Sequence, residues 1–471
     1  MNKKWLKKGF FLAVYLCLVI GFFFIGGDQL RHKTINSSMP QPNTILGELT
    51  SDIVIEQSFH SNVEIIDKLK LFSATFNREN KGQIMMSLYD SSNNVMVAKT
   101  TVNAADLTDN AEYIWELDAP VEDALKKDFL IVIESNCLSG SAPTFYYNNS
   151  SNETNSMKIN GTFVSGTLSF SYEGRISLAF GNYYWQIVTF ITLILLFYIL
   201  WMIHRQKIGQ PTLVVLMLNI WHKYDFLIKQ LVVRDFKTKY KRSVLGYLWS
   251  FLNPLLTMAV QYIVFSTIFK SDIKNFPVYL LTGIILFNFF TEAVGQGLGA
   301  IVGNASLITK VYVPKYIYPI TKVVSCSINL IISILPLLIV TIITGAKITP
   351  AIVLLPFALL NLLVFCIGMS LMLSAAMVFF RDTQYLWGII SLVWMYATPL
   401  FYPESIIPDK FMVILKVNPM YYIVNFARTI LINGISPEPK LYFYCLFSSM
   451  TMLFIGSLVF KKTQDKFVLF I

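Results

Sequence analysis

Hydrophobic positions fall into three regimes along this chain. Runs of about 20 apolar residues, long enough for the hydrocarbon core of a bilayer, occur at 9–26 and 185–203, then densely at 248–269, 277–301, 320–344, 351–379, 385–401 and 441–460. They predict a polytopic α-helical membrane protein with eight transmembrane helices, the last six forming one core. Between the first two runs the pattern switches to period two, with Ile84/Met86/Leu88, Leu168/Phe170/Tyr172 and Ile176/Leu178/Phe180 alternating and 129–133 nearly continuous. Turn signals at 80–82, 90–94, 160–161 and 173–174 separate these stretches, predicting about eight short strands in an inserted all-β sandwich of jelly-roll type. The third regime is a basic amphipathic stretch at 231–247 that continues without a break into the apolar run. Val232, Val233, Phe236, Tyr240, Val244 and Tyr247 share one helical face, and Arg234, Lys237, Lys241 and Arg242 gather around the other. Such a helix is expected in the interface plane, its cations toward anionic head groups. A solvated charge run is the plainer alternative, against which the continuation into a span argues.

Composition excludes a soluble domain: 55% of residues are hydrophobic and only 14% charged, with a mean hydropathy of +0.56. A net charge of +10 would suit a nucleic-acid binder, but Lys and Arg cluster beside apolar runs, as membrane topology requires. Lys3, Lys4, Lys7 and Lys8 precede the first run, and His204, Arg205 and Lys207 follow the second, placing 28–181 outside. Lys310, Lys315, Arg381 and Lys461–Lys462 fall on connections predicted inside, whereas 271–276 and 345–349 are short and weakly charged. The expected organisation is an N-terminal anchor at 1–27, an extracytoplasmic sandwich at 28–181, a second transmembrane helix at 182–204, a cytoplasmic linker with the basic interface helix at 205–247, and a six-span domain at 248–471. A cleaved signal peptide at 9–26 is an alternative that also exports the sandwich.

The residues form no catalytic constellation. The four histidines are scattered, the five cysteines make no metal or disulfide pattern, and H-E-x-x-H, G-x-S-x-G and P-loop motifs do not occur. The chain is therefore read as a non-enzyme, and energy for any transport must come from another chain or an ion gradient. Glu292 is expected in a membrane, near the outer half of its span, as either an ion-coupling carboxylate or a hydrogen-bonded structural one. In the sandwich, Tyr89, Trp115, Tyr146 and Tyr147 are available either to stack on sugar rings or to fill the core; 148–155 reads as a loop. The stretch 401–428, interrupted by Pro403, Pro408 and Pro419 and charged by Glu404, Asp409 and Lys410, is too polar to span. It is expected as short re-entrant helices.

The stretch 234–249, Arg-Asp-Phe-Lys-Thr-Lys-Tyr-Lys-Arg-Ser-Val-Leu-Gly-Tyr-Leu-Trp, followed by Asn253-Pro254, resembles the opening of the type-2 ABC exporter permeases for polysaccharides, O-antigens and teichoic acids. The segment 304–315, the Phe380-Arg-Asp382 loop, and Pro399-Leu-Phe-Tyr-Pro403 with Asn418-Pro-Met420 and Phe426-Ala-Arg428 are similar to later family landmarks, in order, over about 220–471. The resemblance implies a homodimer enclosing a channel, two copies of a separate nucleotide-binding subunit that holds ATP and Mg, and no cofactor or metal in this chain. It implies a polyprenyl-pyrophosphate-linked glycan as substrate and a bacterial cytoplasmic membrane as location. Asn304, Ser306, Leu307, Ile308, Lys310, Tyr312, Pro314 and Lys315 are then the candidate ATPase-coupling segment, with an exposed Leu-Ile pair for a partner's groove. Arg234, Lys237, Lys239, Lys241 and Arg242 are candidates for the lipid phosphates. Tyr247, Trp249, Tyr262, Phe265, Phe287, Phe289, Phe290, Tyr385, Trp387, Trp394 and Tyr396 are available to line a path, although lipid anchoring or helix packing competes for each. Pro403, Glu404, Asn418, Pro419 and Arg428 form the candidate outer gate. The first two spans and the sandwich depart from the family's common form, leaving open the rival readings of a membrane-anchored carbohydrate receptor and of an exporter of a drug, peptide or small lipid.

Overall fold

The computed structural model describes residues 3–149, 157–210, 212–240, 245–246, 248–269, 273, 275–310, 313–346 and 348–470. It comprises two compact units, Arg31–Tyr184 and the pair Met1–Leu30 with Trp185–Ile471.

The first unit is all-β, with two antiparallel sheets. One sheet runs in the spatial order His32–Asn36, Phe170–Ser177, Ile65–Ala74, Thr144–Asn148, Thr167–Leu168, with Thr44–Ile45 and Ala111–Val121 attached beside it. The other runs Thr162–Val164, Met157–Ile159, Ile55–His60, Asp128–Ser135, Gln83–Asp90, Val95–Asn103. Ile84, Met86, Leu88, Phe129, Ile131 and Ile133 all point into one core with Leu69, Leu71, Leu168 and Phe170, as period-two patterning demands. The thirteen described strands exceed the expected eight because several have only two or three residues, too few to show a period. Asn160-Gly161 closes a two-residue hairpin with φ of 50° and 76°, and Met157 pairs with Val164 across it. Both left-handed positions are what a type I′ turn needs. Glu173-Gly174, expected as a turn, is instead a bulge within Phe170–Ser177. There a Cβ on Gly174 would lie 2.3 Å from the Ile65 carbonyl oxygen, so the glycine serves close strand approach. The alternation at 176–180 stops at Ser177 and gives way to the short helix Ala179–Asn182.

Six helices of the second unit, among the described residues, are long and apolar enough to cross a membrane. They are Tyr184–Lys207, then five spans of the core expected as a permease, Leu248–Phe269, Phe276–Leu298, Ile317–Ile343, Leu355–Phe379 and Pro439–Thr463. The run expected at 385–401 forms the helix Thr383–Tyr396, of 14 residues and about 21 Å, before the chain breaks at Pro399. The first apolar run lies within the helix Lys3–Arg31, kinked at Gly27; Tyr15 and Thr192 hydroxyls meet at 2.6 Å. Tyr184–Lys207 is apolar on all sides over most of its length and, beyond the buried Tyr184, mostly exposed, a helix suited to lipid contact.

Phe276–Leu298 is the central element, burying Leu281, Ile284, Phe287 and Phe290 against Leu355–Phe379 and the outer helices. Leu355–Phe379 and Pro439–Thr463 approach backbone to backbone: a Cβ on Gly456 would sit 2.0 Å from the Gly368 carbonyl oxygen. Hydrophobic burial does not drive helices together in lipid, so such small-residue contacts carry the packing. The basic segment is the C-terminal part of the helix Leu213–Tyr240 and does not run unbroken into the first permease span; Leu245–Gly246 form a turn, with Gly246 at φ 51°.

Candidate transport site

Three places in the membrane unit hold polar chemistry that an apolar environment does not explain. The first is where the basic helix docks. Its buried face is Ile228, Leu231 and Val232, in one cluster with Ile317, Tyr318, Phe460 and Phe467. Val233, expected on this face, is 44% exposed, because the docking stripe is rotated by about one residue. Asp235 supplies what the sequence reading missed: only 8% exposed, it pairs with Arg234 at 2.9 Å and with Lys322 of the third permease span at 3.0 Å. Its signal was present in the Arg234-Asp235 dipeptide, since a carboxylate inside a basic stripe needs a reason. Arg234 also reaches the Asn304 side-chain oxygen at 3.4 Å. The segment expected to couple to an ATPase begins there as the short helix Ala305–Ile308. Leu307 and Ile308 are not an exposed pair; both are half-buried against the docking cluster, because a short helix folded back on the basic helix hides its apolar residues. Ser306 and Lys310 stay exposed, and Lys315 donates to the Gln464 carbonyl at 2.6 Å. Pro314 is half-buried.

The second place is a cavity of about 250 Å³ between the end of the basic helix and the first three permease spans. Lys239 and Glu292 form an ion pair across it at 2.6 Å, and Gln296 donates to the same carboxylate at 3.0 Å. Glu292 lies toward the Leu298 end of its span, beside the basic helix, because the chain enters that span at Phe276. Tyr240 donates to Asn329 at 2.8 Å and contacts the Ser250 hydroxyl. Pro254 has no N–H for the carbonyl of Ser250 one turn earlier, and Ser333 donates to that carbonyl at 2.9 Å. Trp249 faces the cavity. Lys237 is exposed, whereas Lys241, Arg242, Tyr247 and Tyr312 lie outside the described residues.

The third place is the segment expected as the outer gate, built of short helices including Met412–Val417 and Pro419–Arg428. Asn418 caps the latter, accepting from the Met420 N–H at 3.0 Å, with Pro419 at the first helical position. The same amide oxygen accepts from the Trp394 indole at 2.8 Å, and its nitrogen donates to Thr398 at 2.8 Å. Arg428 is 7% exposed. It donates to the carbonyls of Tyr279, Pro399 and Leu400 at 3.0, 2.7 and 2.9 Å. Glu404 accepts from Tyr421 at 2.8 Å, and Pro403 lines the same 300 Å³ cavity.

The aromatic candidates separate by burial. Phe287, Phe289, Phe290 and Trp387 are buried within the chain, and Phe290 meets Phe287, Trp387 and Trp394 ring to ring. Their surroundings are a packed core. Phe265 stacks on Phe401. Trp249, Tyr262, Tyr385 and Tyr396 are exposed. In the β unit, Trp115 is buried and fills the core instead of offering a ring; Tyr89, Tyr146 and Tyr147 are half-buried.

A polytopic helical core with a docked basic helix, a short helix folded back at 305–308 and a capped segment at 412–428 is the architecture of a multi-pass membrane protein. Residues 226–432 match the ABC-2 type transporter family, and the chain belongs to that family. It is 31% identical over 248 residues to the O-antigen export system permease protein RfbA of Myxococcus xanthus, covering 52% of this chain and 95% of that protein. The polysialic acid transport protein KpsM of Escherichia coli is 27% identical, over 50% of this chain and 93% of its own length. The capsule polysaccharide export inner-membrane protein CtrC of Neisseria meningitidis is 22% identical, over 51% and 96%. The family match leaves the β unit outside it.

Proposed function

We infer that this chain is the permease subunit of an ABC exporter that carries a lipid-linked cell-surface polysaccharide or teichoic-acid-like polymer across a bacterial cytoplasmic membrane. It works as a homodimer with two copies of a separate nucleotide-binding subunit, which supplies ATP hydrolysis and Mg. The basic helix and the coupling segment face the cytoplasm, and the β unit lies outside, where it binds or guides the emerging glycan. One observation carries the mechanism: Asn304, Arg234, Asp235 and Lys322 form a continuous polar chain from the coupling segment, through the basic helix, to the third permease span. A push by the partner on 304–315 reaches Arg234 through Asn304. It reaches Ile228, Leu231 and Val232 through Leu307 and Ile308. Asp235–Lys322 and Lys239–Glu292 pass the displacement to two spans, so the dimer interface opens as packed bodies shift. The exposed cations, Lys237 among them, attract the carrier's phosphates, and Trp249, Tyr262, Tyr385 and Tyr396 are the aromatic candidates for the path. Glu404, Pro403, Asn418, Pro419 and Arg428 hold the outer exit.

Purification of the full-length protein from its native membrane, with mass spectrometry of bound proteins and lipids, tests this reading. Recovery of a P-loop ATPase and a polyprenyl-linked glycan is expected; a stable complex with neither would favour a receptor. Asp235→Asn is expected to lower export at least about tenfold, since a broken buried ion pair costs several kcal/mol, while the ATPase still co-purifies.

A further inference from the structure

The cavity beside Lys239 is the wrong kind of site for a phosphate. An anion needs an uncommitted cation, yet Lys239 and Glu292 neutralise each other at 2.6 Å. What the cavity presents instead is neutral and bifunctional. Asn253 and Asn288 are exposed on neighbouring spans and line it, and each amide offers both a donor and an acceptor. Glu292, though paired, keeps acceptor positions for a hydroxyl. Trp249, 44% exposed, supplies ring surface, whose negative face suits weakly polarised C–H groups. The ligand that answers this set is an uncharged ring carrying hydroxyls on its edge and C–H bonds on its face. The volume of about 250 Å³ falls below the roughly 300–1,000 Å³ of sites for drug-sized molecules, so one ring fits.

We propose that this cavity is a monosaccharide-binding subsite that receives one sugar of the glycan, while the carrier's phosphates stay with the exposed cations of the basic helix. The proposal rests on the export reading and assigns recognition within it. The Lys239–Glu292 pair then has two roles, holding the basic helix against the second permease span and presenting a fixed carboxylate to the sugar's hydroxyls.

The test uses the full-length chain in lipid nanodiscs. The probes are farnesyl-diphosphate-linked hexose, 6-deoxyhexose and N-acetylhexosamine, each with a diazirine on the sugar. Illumination is expected to label peptides containing 249–253 or 285–292 for at least one sugar. Excess unlabelled glycolipid should remove the label, and farnesyl diphosphate should not. Asn253→Ala and Asn288→Ala, both at exposed positions, should each lower labelling roughly three- to tenfold, the span of one lost hydrogen bond, without changing the protein's elution on size exclusion. No labelling, labelling only elsewhere, unaltered labelling of both variants, or equal competition by farnesyl diphosphate each overturns the subsite. None of these outcomes touches the export reading, which fails separately if deleting the chain from its host leaves surface polysaccharide unchanged.

Discussion

Charged side chains are the places where single residues decide behaviour in this molecule. In the β unit, Glu48 accepts from the Gly140 N–H at 2.7 Å and from the Ser139 hydroxyl at 3.2 Å, and pairs with Arg78. The Gly140 amide, followed by Arg78, holds its carboxyl below the usual carboxylate range. A carboxylate with a lowered pKa in the folded state stabilises that state above its unfolded pKa and loses the contribution as pH falls through the folded one. Hydrogen-exchange protection of the 138–142 loop, taken relative to the intrinsic amide rate at each pH, should therefore fall as the full-length protein is acidified below the ordinary carboxylate range. Glu48→Gln should show low protection already at neutral pH and little further loss on acidification. Glu292 illustrates what was legible at this scale. An ionisable residue in a span stood out in the sequence, but its partner Lys239 lies 53 positions away, and only the docking of two helices reveals the pair. Asn418 and Arg428 stood out as an outer motif. Their work as a cap and a carbonyl clamp depends on Trp394, Tyr279 and Pro399, whose proximity no local pattern encodes.

Helices were read more securely than their termini or faces. The apolar runs located the spans because a 20-residue stretch integrates many weak preferences, whereas the end of Thr383–Tyr396 depends on local breakage before Pro399. The basic helix was legible as amphipathic, yet its docking stripe passes through Val232 and Asp235, which pairs with Lys322, and leaves Val233 outside. A proline within a span creates a directly measurable coupling. Ser333→Ala should cost about 1 kcal/mol by leaving the Ser250 carbonyl without its donor. In a Pro254→Ala background that cost should largely vanish, because a restored N–H takes the carbonyl. A double-mutant cycle on thermal unfolding in detergent reads the difference, and additive costs would refute the assignment. Gly456→Leu should destabilise by at least about 2 kcal/mol through overpacking against Gly368, seen as a lower Tm and aggregation on extraction.

The molecule as a whole joins a β-sandwich to a permease of ordinary family length, since relatives are matched over more than nine-tenths of their own chains by about half of this one. A chain beginning at residue 206 should therefore fold and elute as a single species; aggregation of that fragment would mean that the first two helices are part of the core. The sandwich was legible as a class because buried alternation survives in its longer strands, and its strand count was not, because the two- and three-residue strands are defined by their neighbours. The Arg428 clamp sets a mechanical limit on the transport cycle. One guanidinium ties the entry of the second permease span to the Pro399–Leu400 bend and to its own helix, and pulling any of them away would strand a cation among bare carbonyls. The second span, the bend and the Pro419–Arg428 helix are thus a single rigid lever. On the export reading proposed above, a polymer leaving the membrane would pass around that lever and not through it.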